Sequence, residues 1–412
     1  MPPLAQPSAT TVRRRLLAWL LVLTTLVLTP ATALGLSDAQ QLVVEAWRLV
    51  NQSYVDPGRF DSVRWTRLRQ KALERPIVTS SDAYDAIEWM LAPIGDPYTR
   101  LLRPQDFSTL QSNTQGTVSG VGLQLGQRDG DGRILVIAPL ENSPASAAGI
   151  PAGAELLSVD GQSAQELGLE ATAARLRGPA ASRVLITWRL DAGPPKETDL
   201  ERRAIDLRPV RSSEIEHHGH RLGVLRITQF SEPVPSQVQQ ALKDLNNADV
   251  EGLVLDLRNN SGGLVSAGLA VANALLDREP IVETVNRDAL ASLEQAGAGA
   301  LYTGPLVTLV NGGTASASEI LAGALQDDGR SRLLGSRTFG KGLIQTLIPL
   351  GNGSGLAVTV ARYRTPSGRD IQHLGIEPDQ LLPQPEPLAP GGDDDSWLQA
   401  ALDSLVPEEG EG

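Results

Sequence analysis

The 412-residue chain contains no cysteine. That absence excludes disulfides, thiolate catalysis and cysteine-built metal sites together, and by itself it names no compartment. Histidine is nearly as scarce, with four residues: His217, His218, His220 and His373. A Ser-His-Asp triad would have to recruit one of them, and none stands in a context that suggests a catalytic base. The first three lie in the polar segment Arg211 to Arg221, beside Glu214 and Glu216. Their spacing fits no standard ligand pattern, so the segment reads as a solvated turn, and no metal or cofactor is expected. Positive charge is short as well: the formal net charge is -12. Such a surface repels nucleic acid and anionic lipid. Past the amino terminus, no apolar run reaches membrane length.

The amino terminus itself has the shape of a secretory signal peptide over residues 1–33. Arg13, Arg14 and Arg15 form a basic segment, Leu16 to Leu28 a 13-residue apolar core, and Ala31-Thr32-Ala33 a small-x-small cleavage site. Its removal takes three arginines and no acid, leaving -15 on the mature chain. The expected product is exported and carries no membrane anchor after cleavage; an uncleaved anchor and twin-arginine export are the alternatives.

The length predicts two or three domains. Residues 34–112 read as helical. Ser37-Asp38-Ala39-Gln40 is a capping-box pattern, followed by apolar residues at helical spacing to about Asp56-Pro57-Gly58. Further helices are expected over Phe60 to Leu73 and Ser81 to Leu91, with Trp47, Trp65 and Trp89 packing between them. No chemistry is indicated there. Over 113–205 the period shifts to strands: Gly120-Val121-Gly122-Leu123-Gln124-Leu125, a turn at Arg128 to Gly132, Ile134 to Ile137, a short helix after Asn142-Ser143-Pro144-Ala145, Ala154 to Gly161, a helix over Gln165 to Leu176 and a last strand over Arg183 to Leu190. This order resembles a PDZ domain. The resemblance implies that Gly120, Val121, Gly122 and Leu123 receive a peptide's terminal carboxylate while the peptide adds as a strand beside them.

From 206 to 385, strands and helices alternate: Leu225-Ile227, Pro235 to Leu245, Gly252 to Leu257, Leu264 to Leu276, Ile281 to Thr284 and Leu306 to Val310. The alternation predicts an α/β core with a central sheet covered by helices and its functional groups on loops at strand ends. Residues 386–412 read as an acidic, solvated tail around one short docking helix from Trp397 to Leu405.

Two loops of this core carry the candidate chemistry. Thr314-Ala315-Ser316-Ala317-Ser318-Glu319 places serines between a strand and a helix, where a nucleophile is exposed and the Ala317 amide points at developing negative charge. Arg258-Asn259-Asn260-Ser261-Gly262-Gly263 offers the Gly262 amide as the second donor of an oxyanion hole. Lys341 stands between two glycines in Phe339-Gly340-Lys341-Gly342. It can act as base only if burial lowers its ordinary pKa of about 10.4 by roughly 3, a cost of about 4 kcal/mol. Phe339 and Ile344 are apolar, no acid lies between Arg337 and Pro349, and Gln345 can hydrogen-bond a neutral amine. The residues alone leave Ser316 and Ser318 both open as nucleophile.

These loops, with Leu255 to Gly263, Thr314 to Ile320, Thr338 to Gly342, Tyr363-Arg364-Thr365-Pro366-Ser367-Gly368 and Gly375-Ile376-Glu377-Pro378-Asp379, resemble the C-terminal processing peptidases, or tail-specific proteases. The likeness covers nearly the whole mature chain, including the helical part and the PDZ domain. In that family the nucleophile stands 25 positions before the Phe-Gly-Lys-Gly lysine, which here selects Ser316. The resemblance further implies a Ser316/Lys341 dyad supported by Gln345, an oxyanion hole at Gly262 and Ala317, and protein substrates bound by exposed C-terminal tails. Arg369 to Gly375 is similar to the cyanobacterial and plastid branch, which trims the carboxyl extension of the photosystem II reaction-centre precursor in the thylakoid lumen. General tail processing in a periplasm is the alternative. An inactive PDZ peptide-binding or chaperone-like protein would have lost Ser316 or Lys341, and another Ser-Lys acyl hydrolase would not carry the PDZ domain.

Overall fold

The computed structural model describes residues 36–127, 132–139, 143–151, 153–190, 192–206, 208–384, 386, 390–392 and 394–406. The leader, most of the turn at Arg128 to Gly132, and Asp393 lie outside the described residues.

Helices α1 (Asp38–Ser53), α2 (Gly58–Val63), α3 (Trp65–Leu73) and α4 (Ser80–Leu91) form the amino-terminal part, followed by β1 (Arg100–Leu102) and α5 (Pro104–Thr114). The capping box at the start of α1 is formed: the Gln40 amide donates to Ser37 Oγ at 3.2 Å, and the Ser37 amide donates to Gln40 Oε1 at 3.0 Å. The single helix expected over Phe60 to Leu73 is broken at Arg64, whose φ of 54° turns the chain between α2 and α3. Trp47 and Phe60 both stack on Trp65, with ring centroids 6.3 and 5.3 Å from it, so aromatic packing does join these helices. Trp89 departs from that expectation: it is 38% exposed and lies under the Arg75 guanidinium.

The next unit contains β2 (Thr117–Gly120), β3 (Leu123–Gln127), β4 (Ile134–Pro139), α6 (Pro144–Ala147), β5 (Glu155–Val159), β6 (Gln162–Ser163), α7 (Ala164–Leu176), β7 (Arg183–Arg189), β8 (Lys196–Glu201) and β9 (Arg203–Asp206). The main sheet runs β3-β4-β5-β7-β8, and β2 pairs with β9. Strands β8 and β9 were not expected. In β8, Lys196-Glu-Thr-Asp-Leu-Glu buries only Leu200, so it offers no apolar alternation to read.

The core adds β10 (Val210–His217), β11 (His220–Ile227), α8 (Val234–Asn247), β12 (Gly252–Asp256), α9 (Val265–Leu275), β13 (Pro280–Asn286), β14 (Ala291–Gln295), β15 (Leu306–Val310), α10 (Ala317–Asp327), β16 (Arg332–Gly335), β17 (Leu343–Pro349), β18 (Gly355–Arg364), β19 (Gln380–Leu381) and α11 (Ser396–Asp403). One sheet runs β10-β11-β12-β15-β16-β19, parallel from β11 onward. Both its faces are covered, which is why β12 and β15 read as continuous apolar runs. Leu225, Leu253 and Leu255 face α8, α9 and α10, while Val224, Val254 and Leu309 face α11 through Trp397 and Leu402. The segment expected as a solvated turn is instead a long antiparallel hairpin, turning at His218-Gly219 with φ of 49° and 80°. The docking helix of the tail is present, but Asp395 at its cap is buried rather than solvated.

A second sheet joins the amino-terminal part to the core. Strand β18 pairs with β1 and β13 and, along its other edge, with β17. The amino-terminal helices pack on this sheet through Leu350, Leu356 and Val358.

Candidate active site

Ser316 follows β15 and caps α10 with φ 58° and ψ -118°. A non-glycine residue in that region is strained, and strain at a strand-to-helix turn is how a nucleophile is presented. Ser316 is 7% exposed. Ser318 is sealed, and its hydroxyl donates to the Asn260 carbonyl at 2.8 Å. The geometry therefore favours Ser316, the choice that the residues alone had left open.

Three residues downstream, Glu319 is fully buried and accepts four hydrogen bonds. Its Oε2 accepts from the amides of Ser316 and Lys341, both at 2.9 Å. Its Oε1 accepts from Thr338 Oγ1 at 2.6 Å and from the Gly340 amide at 2.7 Å. One carboxylate thus ties the serine turn to the lysine loop. Tyr363 ties them again from β18, its buried hydroxyl lying 3.1 Å from the Ser316 carbonyl and 2.5 Å from the Lys341 carbonyl. Neither role had been read from the sequence. The Ser-x-x-Glu pattern at 316–319 was the available signal for Glu319, since it is a capping-box sequence.

The Lys341 ammonium is held below its ordinary pKa, chiefly by burial and further by the charge of Arg100; Glu319 and Asp96 oppose the shift. The expected surroundings were partly wrong. Phe339 is 59% exposed and covers little. Instead the Tyr98 ring, from the amino-terminal part, lies 5.0 Å from Nζ. No acid is near in sequence, yet folding brings two. Gln345 Nε2 donates to Thr359 Oγ1 at 3.4 Å rather than to the lysine.

Gly262 lies against the serine turn: a Cβ there would sit 2.8 Å from the Ala315 carbonyl and 2.9 Å from Ser316 Cβ, and its φ is 99°. Only glycine fits. Its amide donates to Asn260 Oδ1 at 3.0 Å. The Asn260 carbonyl also accepts from the Ala315 amide at 3.0 Å, so the two loops are cross-linked. Asn311 Oδ1 accepts from the amides of Asn259 and Gly313 at 2.8 and 3.0 Å, fixing the loops a second time. Below them Arg258, fully buried, donates to Asp256 and to Asp395 Oδ1 and Oδ2, the latter at 2.8 and 2.7 Å. Burial works to raise the Asp395 carboxyl, but Arg258 and the amides of Gly391 and Leu398 hold it below its ordinary value.

In the second unit, the Val121 carbonyl accepts from the Ala145 amide at 2.9 Å, and Gly122 takes a φ of 76° with no room for a Cβ beside Ser143. Gly120 to Leu123 therefore form a tight corner leading into β3, which ends its sheet among the described residues. Far from all of this, His217 Nε2 meets Asp403 Oδ1 at 2.6 Å, and His218 stands 3.5 Å from the same oxygen, giving three potential metal-ligating atoms within 4.8 Å of one another. No described helix is long and apolar enough to cross a membrane.

Comparison with known proteins agrees with this architecture. Residues 221–382 match the model of peptidase family S41, and residues 135–190 match a PDZ domain. A carboxyl-terminal-processing protease of Picosynechococcus sp. is 45% identical over 381 residues, 92% of each chain. The chloroplastic C-terminal processing peptidase of Tetradesmus obliquus is 39% identical over 368 residues, 85% of this chain and 79% of the relative. A solved photosystem II D1 C-terminal processing protease superposes with a TM-score of 0.60 at 38% identity, covering 84% of this chain and 94% of its own. The chain belongs to the carboxyl-terminal-processing proteases of peptidase family S41, with a PDZ domain ahead of the protease core.

Proposed function

We propose that this protease is a serine endopeptidase in which Ser316 is the nucleophile and Lys341 its general base. The observation that carries the reading is the Glu319 carboxylate, which holds the amides of Ser316 and Lys341 on one oxygen at 2.9 Å each. The neutral Lys341 amine takes the Ser316 hydroxyl proton as Oγ attacks the scissile carbonyl. Negative charge develops on the carbonyl oxygen in front of the Ala317 amide at the α10 N-terminus. The Gly262 amide joins it when its bond to Asn260 opens or becomes shared. The Lys341 ammonium then protonates the departing amine, leaving an acyl-Ser316 ester that water hydrolyses with Lys341 again as base. Gln345 supports the neutral amine once its side chain leaves the 3.4 Å bond to Thr359 Oγ1.

The substrate is a protein with an exposed C-terminal tail. Its carboxylate docks at Gly120 to Leu123, and its last residues add to the free edge of β3 beside α7. The protein works after export, in a periplasm or thylakoid lumen, and its likeness to one solved D1 C-terminal processing protease supports the carboxyl extension of the D1 precursor as substrate. Ser316→Ala and Lys341→Ala are each expected to abolish cleavage of a D1 carboxyl-extension peptide, with folding intact by circular dichroism. Full cleavage by either variant would refute the dyad. A wild-type enzyme that cleaves other tails and leaves this peptide whole would refute the substrate alone.

A further inference from the structure

A general base needs a fixed amine, yet the contacts that Lys341 makes with its own core hold its main chain. Glu319 takes its amide, and Tyr363 takes its carbonyl. What meets the side chain comes from the amino-terminal part, where the sequence had indicated no chemistry. The Tyr98 ring centroid is 5.0 Å from Nζ. Tyr98 sits in a tight turn whose Asp96 Oδ1 accepts from the Tyr98 amide at 2.9 Å. Asp96 Oδ2 accepts from Thr99 Oγ1 and Thr359 Oγ1, each at 2.7 Å. The Thr359 amide donates back to Thr99 Oγ1 at 3.1 Å, and Gln345 Nε2 reaches the Thr359 hydroxyl.

Thr99 runs straight into β1, where Arg100 is registered against Ala357 of β18. That same strand carries Tyr363 and pairs with β17, which begins just after Lys341. One strand therefore fixes the main chain of Lys341 on one side and Tyr98 on the other. We infer that the turn from Asp96 to Thr99 completes the base side of the active site, Tyr98 covering the Lys341 amine and Asp96 positioning both. The inference rests on the Ser316/Lys341 reading.

A clamp holding the turn to β18 would need the threonines and the carboxylate, but not an aromatic face over an amine. The ring serves both protonation states: its bulk keeps water from the neutral amine, and its face attracts the ammonium formed when the serine proton arrives. The charged groups facing Lys341 are Arg100 on β1, Asp96 in the turn and Glu319 on α10.

The test is kcat and KM against pH on fluorescently labelled β-casein, using the full mature chain and the variants Tyr98→Phe, Tyr98→Ala, Asp96→Asn and Lys341→Ala. Tyr98→Phe should keep the wild-type profile. Tyr98→Ala opens the amine to water, so the acidic limb should move to higher pH and kcat should fall about tenfold with KM little changed. Asp96→Asn removes a charge that favours the ammonium, so its limb should move to lower pH. Opposite shifts from two neighbouring substitutions are not what general loosening of the fold produces. A folded Tyr98→Ala with the wild-type limb overturns the inference. If that variant does not fold, an unmoved limb in Asp96→Asn overturns it. Turnover surviving in Lys341→Ala would instead remove the dyad on which the inference stands.

Discussion

Two buried carboxylate centres support the loops of the candidate site, and they are built in opposite ways. Asp256 and Asp395 are paired with guanidinium groups: Arg258 reaches both, and Arg226 adds to Asp256 at 2.5 Å. Glu319 is satisfied by three amides and one hydroxyl, with no guanidinium. The contrast separates two uses of buried charge. A carboxylate paired with arginine is neutralised and can only fix a shape, since arginine never gives up its proton. Glu319, satisfied by neutral donors, has no guanidinium opposite it, and its field reaches Lys341 and favours the ammonium. The first centre holds the Gly262 loop, and the second holds the Ser316 turn and the Lys341 loop.

The sharpest way to break the comparison is to remove one partner from each centre. Glu319→Gln should lower kcat by about a hundredfold, because an amide cannot accept from all four donors and the serine and lysine loops drift apart. It also removes a charge that favours the Lys341 ammonium, so the acidic limb of kcat/KM should move to lower pH. Rate measurements across pH check both effects. Arg258→Ala leaves Asp395 buried without a cation and Asp256 with Arg226 alone, and should destabilise the protein by about 3–5 kcal/mol in urea unfolding. The smallest expected effect sharpens the contrast. Asp395 titrates below its ordinary value when folded, so its contribution to stability is complete above its unfolded pKa of about 4 and is lost as pH falls through the folded value. Acid unfolding should be steeper in the wild type than in Asp395→Asn, and equal slopes would count against this assignment.

The parts legible in the sequence were those that local pattern encodes. The capping box at Ser37, the apolar runs of β12 and β15, the serine turn and the lysine between glycines all declare themselves within a few residues. What escaped depends on partners far along the chain. Asp395 looked like one of a solvated acidic run because Arg258 lies 137 positions away. The Tyr98 turn drew no reading because nothing near it in sequence points to Lys341. The surroundings of that lysine were misjudged for the same reason: Phe339 was adjacent but turns outward, while Glu319 and Asp96 were distant and converge. Strand β10 was missed because its exposed, charged face hides any alternation.

The bond from Arg258 to Asp395 also carries a consequence in time. During synthesis, the loop holding Gly262 emerges long before the residue that neutralises its arginine. Until Asp395 arrives with α11, Asp256 and Arg258 lack the lid that buries them, and Trp397 and Leu402 leave the far face of the sheet open. The catalytic loops should therefore be among the last features to settle. A chain still short of α11 would then be a protease in sequence but not yet in activity.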